Sequence, residues 1–280
     1  MKELREAVRH LLTSGHIEVM LGWKCNSHTG GVRPAVFKKK DDVSDVVFNE
    51  NCIQNLTTFL PRLLCRYNRI GVVLKTCDGR SLVSLIQENK IDRERIVILS
   101  PACSGVMCNG EKAGKCSDCP SSVSPIADNV FGEKAEHSAP LFSDVQGIME
   151  MNAEDRWAFF SVQFRDCMRC YACREVCPLC YCETCAADNP ELKWIETSPK
   201  LSSNTMWHLT RAFHHAGRCA DCGECERVCP SNIKLRLLNN VLEQTVIKYF
   251  GVRPGMTIDQ NPPLNQFSEQ DTDELLEGSR

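Results

Sequence analysis

The sequence has no long apolar run. No stretch of its 280 residues approaches the roughly 20 apolar residues that a helix needs to cross a bilayer, so no membrane span is expected. Residues 2–6 are already charged and no apolar core follows them, so no secretory leader is expected either. The net charge of −3 excludes the strongly basic surface on which nucleic-acid binding depends. These absences predict a cytoplasmic protein that does not bind nucleic acid.

Cysteine is the residue type that the sequence has in excess. Its 19 cysteines would be unusual as disulfides in a reducing cytosol, and their odd number is incompatible with complete pairing. Many are separated by two or three residues, which is a spacing typical of metal ligands. We therefore interpret most of them as metal-binding residues, in a chain long enough to form two domains.

Two segments, 167–178 and 219–230, repeat the pattern C-x2-C-x2-C-x3-C-P. This is the bacterial ferredoxin pattern, in which the fourth cysteine of each run binds the cluster of the other run. Structural zinc usually shows two CxxC pairs and fits two complete runs poorly. We therefore predict an α-rich, bacterial-type dicluster ferredoxin-like domain over residues 153–253. Its first [4Fe–4S] cluster would be bound by Cys167, Cys170, Cys173 and Cys229, and its second by Cys177, Cys219, Cys222 and Cys225.

An α/β domain is predicted before these runs, over residues 1–120. Segments 70–74 and 96–99 are continuous apolar runs typical of buried strands, and residues 81–88 between them have helical periodicity. Such a βαβ unit places two parallel strands in one sheet, with their carboxyl ends at the same edge. Ligands of open α/β sheets bind at that edge. Cys77 and Cys103 follow these two strands and are therefore expected there.

A third metal site is predicted at this edge, because a C-x2-C pair follows in a nearby loop. The four candidate ligands are Cys77, Cys103, Cys116 and Cys119. A third [4Fe–4S] cluster, a structural zinc ion and unliganded thiols all fit these cysteines, and Cys108 could replace any of them. Cys77 is expected to precede a helix capped by Asp78 or Ser81, whose N-terminal partial charge would favour the thiolate.

The remaining segments are more polar. Residues 121–152 are predicted to be a linker, since they are rich in small and acidic residues and contain two prolines. Residues 254–280 form a polar, acidic tail that is expected to be disordered or to dock on a partner.

Two helices are predicted from apolar periodicity in the ferredoxin-like domain. Residues 153–164 would shield the first cluster with Trp157, Phe160 and Phe164. Residues 205–216 would face inward with Met206, Leu209 and Phe213. Packing or surface positions are expected for His208, His214 and His215. Three further thiols could complete another metal site, tune a cluster or simply fill space: Cys180, Cys182 and Cys185.

The chain resembles the iron–sulfur beta-subunit family of anaerobic formate dehydrogenases and hydrogenases, related to the beta subunit of deazaflavin-coenzyme-reducing hydrogenase. The resemblance rests on segments 73–81, 101–103, 115–119 and 167–185. It implies an electron-transfer subunit whose partners are a catalytic oxidoreductase subunit and other electron-transfer subunits. Parts of the family also hold a flavin in the α/β domain. Here the ferredoxin-like unit follows that domain instead of preceding it, and no glycine-rich flavin fingerprint is visible, which argues against a flavin.

Three functions fit these features. The first is a subunit without catalytic residues of its own, which relays single electrons through two or three clusters in a formate dehydrogenase, hydrogenase or heterodisulfide-reductase-like complex. The second is an enzyme whose flavin converts hydride transfer from a coenzyme into one-electron steps. The third is a zinc-stabilised sensor or scaffold. We favour the first because it needs only the cluster ligands that the sequence supplies, and the oxygen sensitivity of such clusters indicates an anaerobic host.

Overall fold

A mixed β-sheet forms the centre of the N-terminal half of the chain. The computed structural model describes residues 1–26, 31–39, 41–136, 142–188 and 195–266. The strands in these ranges are β1 (Val19–Cys25), β2 (Val32–Phe37), β3 (Val46–Val47), β4 (Ile70–Val73), β5 (Ile96–Pro101), β6 (Met107–Cys108), β7 (Glu111–Lys112) and β8 (Asn129–Phe131). Six of them form one sheet, whereas β6 and β7 pair only with each other.

The strands of the large sheet have the order β2-β1-β4-β5-β8, and β3 also pairs with β1. Strands β1, β4, β5 and β8 are parallel to one another, whereas β2 and β3 are antiparallel to β1. At the centre of the sheet Val72 lies opposite Ile98. Every residue of β4 and β5 is buried, as is typical of parallel strands covered on both faces. The predicted α/β domain with a parallel βαβ unit is confirmed.

Three α-helices accompany this sheet: α1 (Lys2–Thr13), α2 (Leu60–Leu64) and α3 (Thr76–Gln87). Helix α1 buries one apolar stripe, as its periodicity predicts. Helix α3 connects β4 to β5 and begins earlier than predicted, because polar contacts rather than apolar residues bury its first turn. The Thr76 hydroxyl donates to the carbonyl of Ser121 at 2.6 Å, and the Thr57 hydroxyl donates to the carbonyl of Asp78 at 2.8 Å.

The segment predicted to be a linker contributes to the sheet. Strand β8 lies within residues 121–152 and pairs in parallel with β5. The preceding Asp128 fixes this edge, since its carboxylate accepts the backbone N–H of Ile98 at 2.7 Å and pairs with the Arg93 guanidinium at 2.5 Å. The sequence pattern does not reveal β8 because the strand has three residues and Val130 remains 45% exposed at the sheet edge.

Helices predominate in the C-terminal half. They are α4 (Gln146–Glu150), α5 (Ala153–Arg165), α6 (Ala172–Glu175), α7 (Leu201–His215), α8 (Glu224–Arg227) and α9 (Leu235–Phe250). The helix predicted over 153–164 corresponds to α5 and buries Phe160 and Phe164, but Trp157 is 55% exposed and shields nothing. Within the described part of the chain, no helix is both long and apolar enough to cross a membrane.

Helix α7 buries mainly polar residues, and of its three predicted inner residues Leu209 packs against the hydrophobic cluster of Phe160 and Phe164, whereas the other two do not. Met206 and Phe213 are exposed, whereas the buried stripe contains Asn204, His208, Arg211 and His215. Asn204 and Arg211 donate to backbone carbonyls of the neighbouring cysteine run. The Asn204 amide donates to the Cys167 carbonyl at 2.8 Å, and the Arg211 guanidinium donates to the Cys173 carbonyl at 2.9 Å. The interior next to α7 is rich in thiols and carbonyls, so a polar face suits it better than an apolar one.

The first part of the predicted tail docks on helix α3. The Arg80 guanidinium donates to the carbonyl of Pro254 at 2.9 and 3.1 Å, and the Gln87 amide donates to the carbonyl of Thr257 at 3.0 Å. Gly255 has a φ of +74°, and a Cβ there would lie 2.4 Å from the carbonyl oxygen of Arg80. Residues 254–266 are therefore ordered against this chain, whereas 267–280 lie outside the described residues.

The two halves of the chain are in direct contact. Leu179, which follows the first cysteine run, is buried in the hydrophobic core of the α/β domain. The Thr58 hydroxyl donates to the carbonyl of Val176 at 2.9 Å, and the Arg218 guanidinium pairs with Glu88 at 2.7 Å. Both cysteine runs are thus anchored to the sheet-containing half.

Candidate metal centres

The two cysteine runs have the same local backbone conformation. Arg169 and Tyr171 in the first run have φ of 59° and 60°, and the corresponding Asp221 and Gly223 in the second run have φ of 53° and 69°. A short helix then follows in each case, α6 or α8, and these two helices contact each other. Left-handed residues are unfavourable for side chains other than glycine, so their recurrence at matched positions marks a conformation imposed by the site.

Three thiols of the first run lie close to one thiol of the second. Burial raises the pKa of Cys167, and the neighbouring thiols of Cys229 and Cys170 raise it further. Burial also raises the pKa of Cys173 to about 11, again with contributions from Cys167, Cys229 and Cys170. The backbone N–H of Ile233 donates to the Cys229 sulfur at 3.4 Å. We call these four thiols the first set.

The remaining thiol of the first run lies with three thiols of the second. Cys177, Cys219, Cys222 and Cys225 line one enclosed cavity, which we call the second set. Burial raises the pKa of Cys222 to about 11 and raises the pKa of Cys219 and Cys225 well above its ordinary value. Cys177 thus lies with thiols of the second run, and Cys229 lies with thiols of the first.

A third group of four thiols lies at the carboxyl edge of the sheet. Cys77, Cys103, Cys116 and Cys119 line one cavity of about 530 Å³, and we call them the third set. Burial raises the pKa of Cys103, with further contributions from the thiols of Cys116 and Cys119. Cys108 lines a different cavity, next to helix α8, so it does not join these four.

The predicted helix cap beside Cys77 is wrong. Cys77 lies within the first turn of α3, whose N-cap is Lys75 without a capping side chain. Asp78 instead forms a buried ion pair with Lys75 at 2.8 Å, and the Ser81 hydroxyl donates backwards to the Cys77 carbonyl at 3.0 Å. Burial outweighs the helix terminus and raises the pKa of Cys77 well above its ordinary value. The free thiol is therefore protonated at neutral pH.

His215 is close to the second set, which the sequence did not predict. Its Nε2 lies 3.2 Å from the sulfur of Cys180 and 3.8 Å from that of Cys177, and the three atoms lie within 4.8 Å of one another. A hydrogen bond from Cys177 and the nearby Arg211 guanidinium lower the pKa of Cys180 to about 7, despite its burial. The sequence feature that indicates this position is the polar stripe of α7, in which polar residues recur at helical spacing: Asn204, His208, Arg211 and His215.

The other buried histidine and the remaining thiols of the segment after Pro178 are less suited to bind a metal. His208 is buried and stacks on Phe164 at 4.8 Å, so it is a packing residue as predicted. Burial lowers its pKa to about 3 and keeps the ring neutral. Cys182 is exposed, and Cys185 packs beside the hydrophobic cluster that contains Trp207.

The donor chemistry of the three sets is uniform. Each consists of four thiols, and thiolates are ligands that select iron–sulfur clusters and zinc. Because burial raises the pKa of many of these thiols, a bound metal must displace their protons and compensate the buried negative charge. The many cysteines and their grouping therefore fit iron–sulfur binding.

Comparison with known proteins points to subunits of an oxidoreductase, although no family model matches the chain. A relative named F420-dependent formate dehydrogenase subunit beta, from Methanocaldococcus jannaschii, is 33% identical over 99 residues, which is 35% of this chain and 25% of the relative. F420-dependent formate dehydrogenase 1 subunit beta from Methanococcus maripaludis is 35% identical over 101 residues, 36% of this chain and 25% of the relative. The similarity confirms the resemblance to formate dehydrogenase beta subunits. This chain matches about a quarter of the length of these relatives.

Proposed function

We propose that this chain is an iron–sulfur subunit of a multi-subunit oxidoreductase, in which it relays single electrons to or from a catalytic partner subunit. The observation that carries the proposal is the grouping of twelve cysteines into three sets of four thiols. The similarity to formate dehydrogenase beta subunits supports the same class of complex. Formate dehydrogenase, hydrogenase and heterodisulfide-reductase-like complexes are the candidate assemblies.

Each set would hold one [4Fe–4S] cluster, which supplies one-electron redox chemistry when bound. The chain itself provides the ligands, excludes water and fixes the surrounding charges. Around the first set, Phe164 and Trp207 are buried, and the Ile233 amide donates to the Cys229 sulfur. A reduced cluster is stabilised by hydrogen bonds donated to its sulfur ligands and by buried positive charges. These groups would therefore tune the reduction potential.

Cys170 is the member of the first set that faces the solvent. It is exposed, whereas Cys173 is buried and Cys167 and Cys229 are partly buried. Electron exchange with a partner requires a centre near the surface, and the exposed Met168 lies in the same loop. We therefore propose that the partner approaches the first set from the side of residues 168–170.

The iron content of anaerobically purified protein tests the proposal. We expect about twelve irons and twelve sulfides per chain if three clusters are bound, and about eight if only the first two sets are loaded. Protein that contains zinc and no iron would contradict the proposal. A flavin absorbance band, together with coenzyme reduction by the isolated chain, would favour the alternative of a flavin-containing enzyme.

The Cys103→Ala variant should lose the cluster of the third set and leave about eight irons, because the two crossed sets do not use Cys103. The matched control is Cys108→Ala, which removes a thiol five residues away that lines a different cavity and should retain about twelve irons. The cluster content of both variants is measured by iron and sulfide analysis and by electron paramagnetic resonance (EPR). Equal iron loss in the two variants would contradict the assignment of the third set.

A further inference from the structure

The third set and the second set both lie beside helix α3, along one face of it. Cys77 is in the first turn of this helix, and Ser81, one turn later, lines the cavity of the second set. A further turn along, the Ser84 hydroxyl donates at 3.2 Å to the carbonyl of Arg218, the residue before Cys219. One rigid helix therefore contacts both sets. The thiols of Cys77 and Cys222 also interact electrostatically, and no thiol of the first set is among the largest influences on Cys77.

The buried ammonium group of Lys115 lies between these two sets. Lys115 is 8% exposed, although it immediately precedes the ligand Cys116. Its Nζ donates to the carbonyl of Cys222 at 2.7 Å and to the carbonyl of Ile53 at 3.3 Å. A lysine side chain is an ammonium cation at neutral pH, since its ordinary pKa is about 10.4. Through its hydrogen bond to Cys222, Lys115 touches the second set from the loop of the third.

The charge of Lys115 is not neutralised by an ion pair. Asp78 is paired with Lys75 at 2.8 Å, and Glu224 is paired with Arg227 at 2.8 Å. Among the described residues, no carboxylate lies within ion-pair distance of the Lys115 ammonium, whose hydrogen-bond acceptors are backbone carbonyls. Its field therefore acts on the surrounding sulfur atoms, and burial leaves that field poorly screened by water.

We propose that Lys115 is a positioning residue shared by two neighbouring clusters, one bound by the third set and one by the second, and that it raises the reduction potential of both. This inference rests on the proposed function, since it requires both sets to be loaded. A fixed positive charge stabilises the reduced form of a nearby cluster, because reduction adds a negative charge.

The Lys115→Met variant tests this inference. It removes the charge while keeping a long apolar side chain, and we expect the midpoint potentials of the third and second clusters to shift to more negative values together. The potential of the first cluster should be unchanged. The matched control is Lys112→Met, because Lys112 lines the cavity of the third set but is exposed. It should leave the potential of the second cluster unchanged. The measurement is a redox titration of the whole chain, followed by EPR.

Unchanged potentials in a fully loaded Lys115→Met variant would overturn the inference, as would a shift confined to the third cluster. A wild-type chain without iron would instead overturn the proposed function, so the two failures are distinguishable. If the Lys115→Met variant does not bind its clusters, a comparison of the wild type with Cys103→Ala tests whether the third and second clusters are adjacent. Loss of the third cluster should alter the spin coupling seen in the EPR spectrum of the reduced second cluster, and an unaltered spectrum would exclude their adjacency.

Discussion

The Cys177→Ala variant should lose the second cluster and keep the first, even though Cys177 belongs to the first cysteine run. The reason is that Cys177 lines the cavity of Cys219, Cys222 and Cys225, whereas Cys229 replaces it beside the rest of its own run. Each cluster needs four thiolates, so removal of one ligand leaves an incomplete set. We expect about four irons to be lost from about twelve, with the EPR signal of the first cluster retained.

Cys180→Ala is the matched control for this experiment. Cys180 lies three residues along the chain and its sulfur is 3.2 Å from Nε2 of His215, so it shares the surroundings of Cys177 but belongs to none of the three sets. This variant should keep all of its iron. Loss of the first cluster in Cys177→Ala would show that each run binds its own cluster, and loss of iron in Cys180→Ala would make Cys180 a ligand.

The Gly79→Ala variant should be strongly destabilised, although it adds only one methyl group. A Cβ at this position of α3 would lie 2.0 Å from Oγ of Ser124, 2.8 Å from its Cβ and 3.1 Å from Cδ of Pro125. Ser124 is itself buried, so the helix has to move away from it. Overpacking of this kind costs about 1–3 kcal/mol. Because α3 carries Cys77 and lines the second set, metal loading of the third set should fall as well.

The measurement is thermal unfolding of the protein with its metal bound. Each kcal/mol of lost unfolding free energy should lower the midpoint temperature by roughly 2–4 °C for a chain of this size class. The matched control is Gly147→Ala in α4, where the described residues outside its own helix place no heavy atom within 4 Å of the added Cβ, and its unfolding midpoint should not fall. The double variant Gly79→Ala with Ser124→Gly should recover part of the loss, because it removes the two nearest atoms. No recovery would show that the clash with Ser124 is not the cause.

The sequence predicts features that rest on strong local patterns. Strands β4 and β5 are fully buried and therefore appear as continuous apolar runs, which revealed the parallel βαβ unit. The spacing of the cysteines predicts the two crossed groups, and the ends of β4 and β5 together with a C-x2-C pair predict the third; the metal content of all three stays a prediction. Strand β8 escaped prediction because an exposed edge strand of three residues carries no such pattern.

Features that depend on contacts distant in sequence could not be predicted in this way. Apolar periodicity placed Met206 and Phe213 on the inner face of α7, but both are exposed. The buried face lies against thiols and backbone carbonyls and is occupied by Asn204 and Arg211. The position of His215 beside Cys180 follows from the packing of α7 against the segment after Pro178. Lys115 contacts Cys222 across 107 residues of chain, and nothing near residue 115 in the sequence indicates that contact.

The crossed arrangement has a consequence for biosynthesis. The third set lies wholly within the first 119 residues, so its four thiols are available as soon as the α/β domain emerges from the ribosome. The other two sets each take thiols from both runs, and neither is complete until the second run has been translated. Nascent chains arrested between the two runs should therefore present one complete thiol set to the machinery that delivers iron and sulfide, with the remaining two becoming complete almost simultaneously.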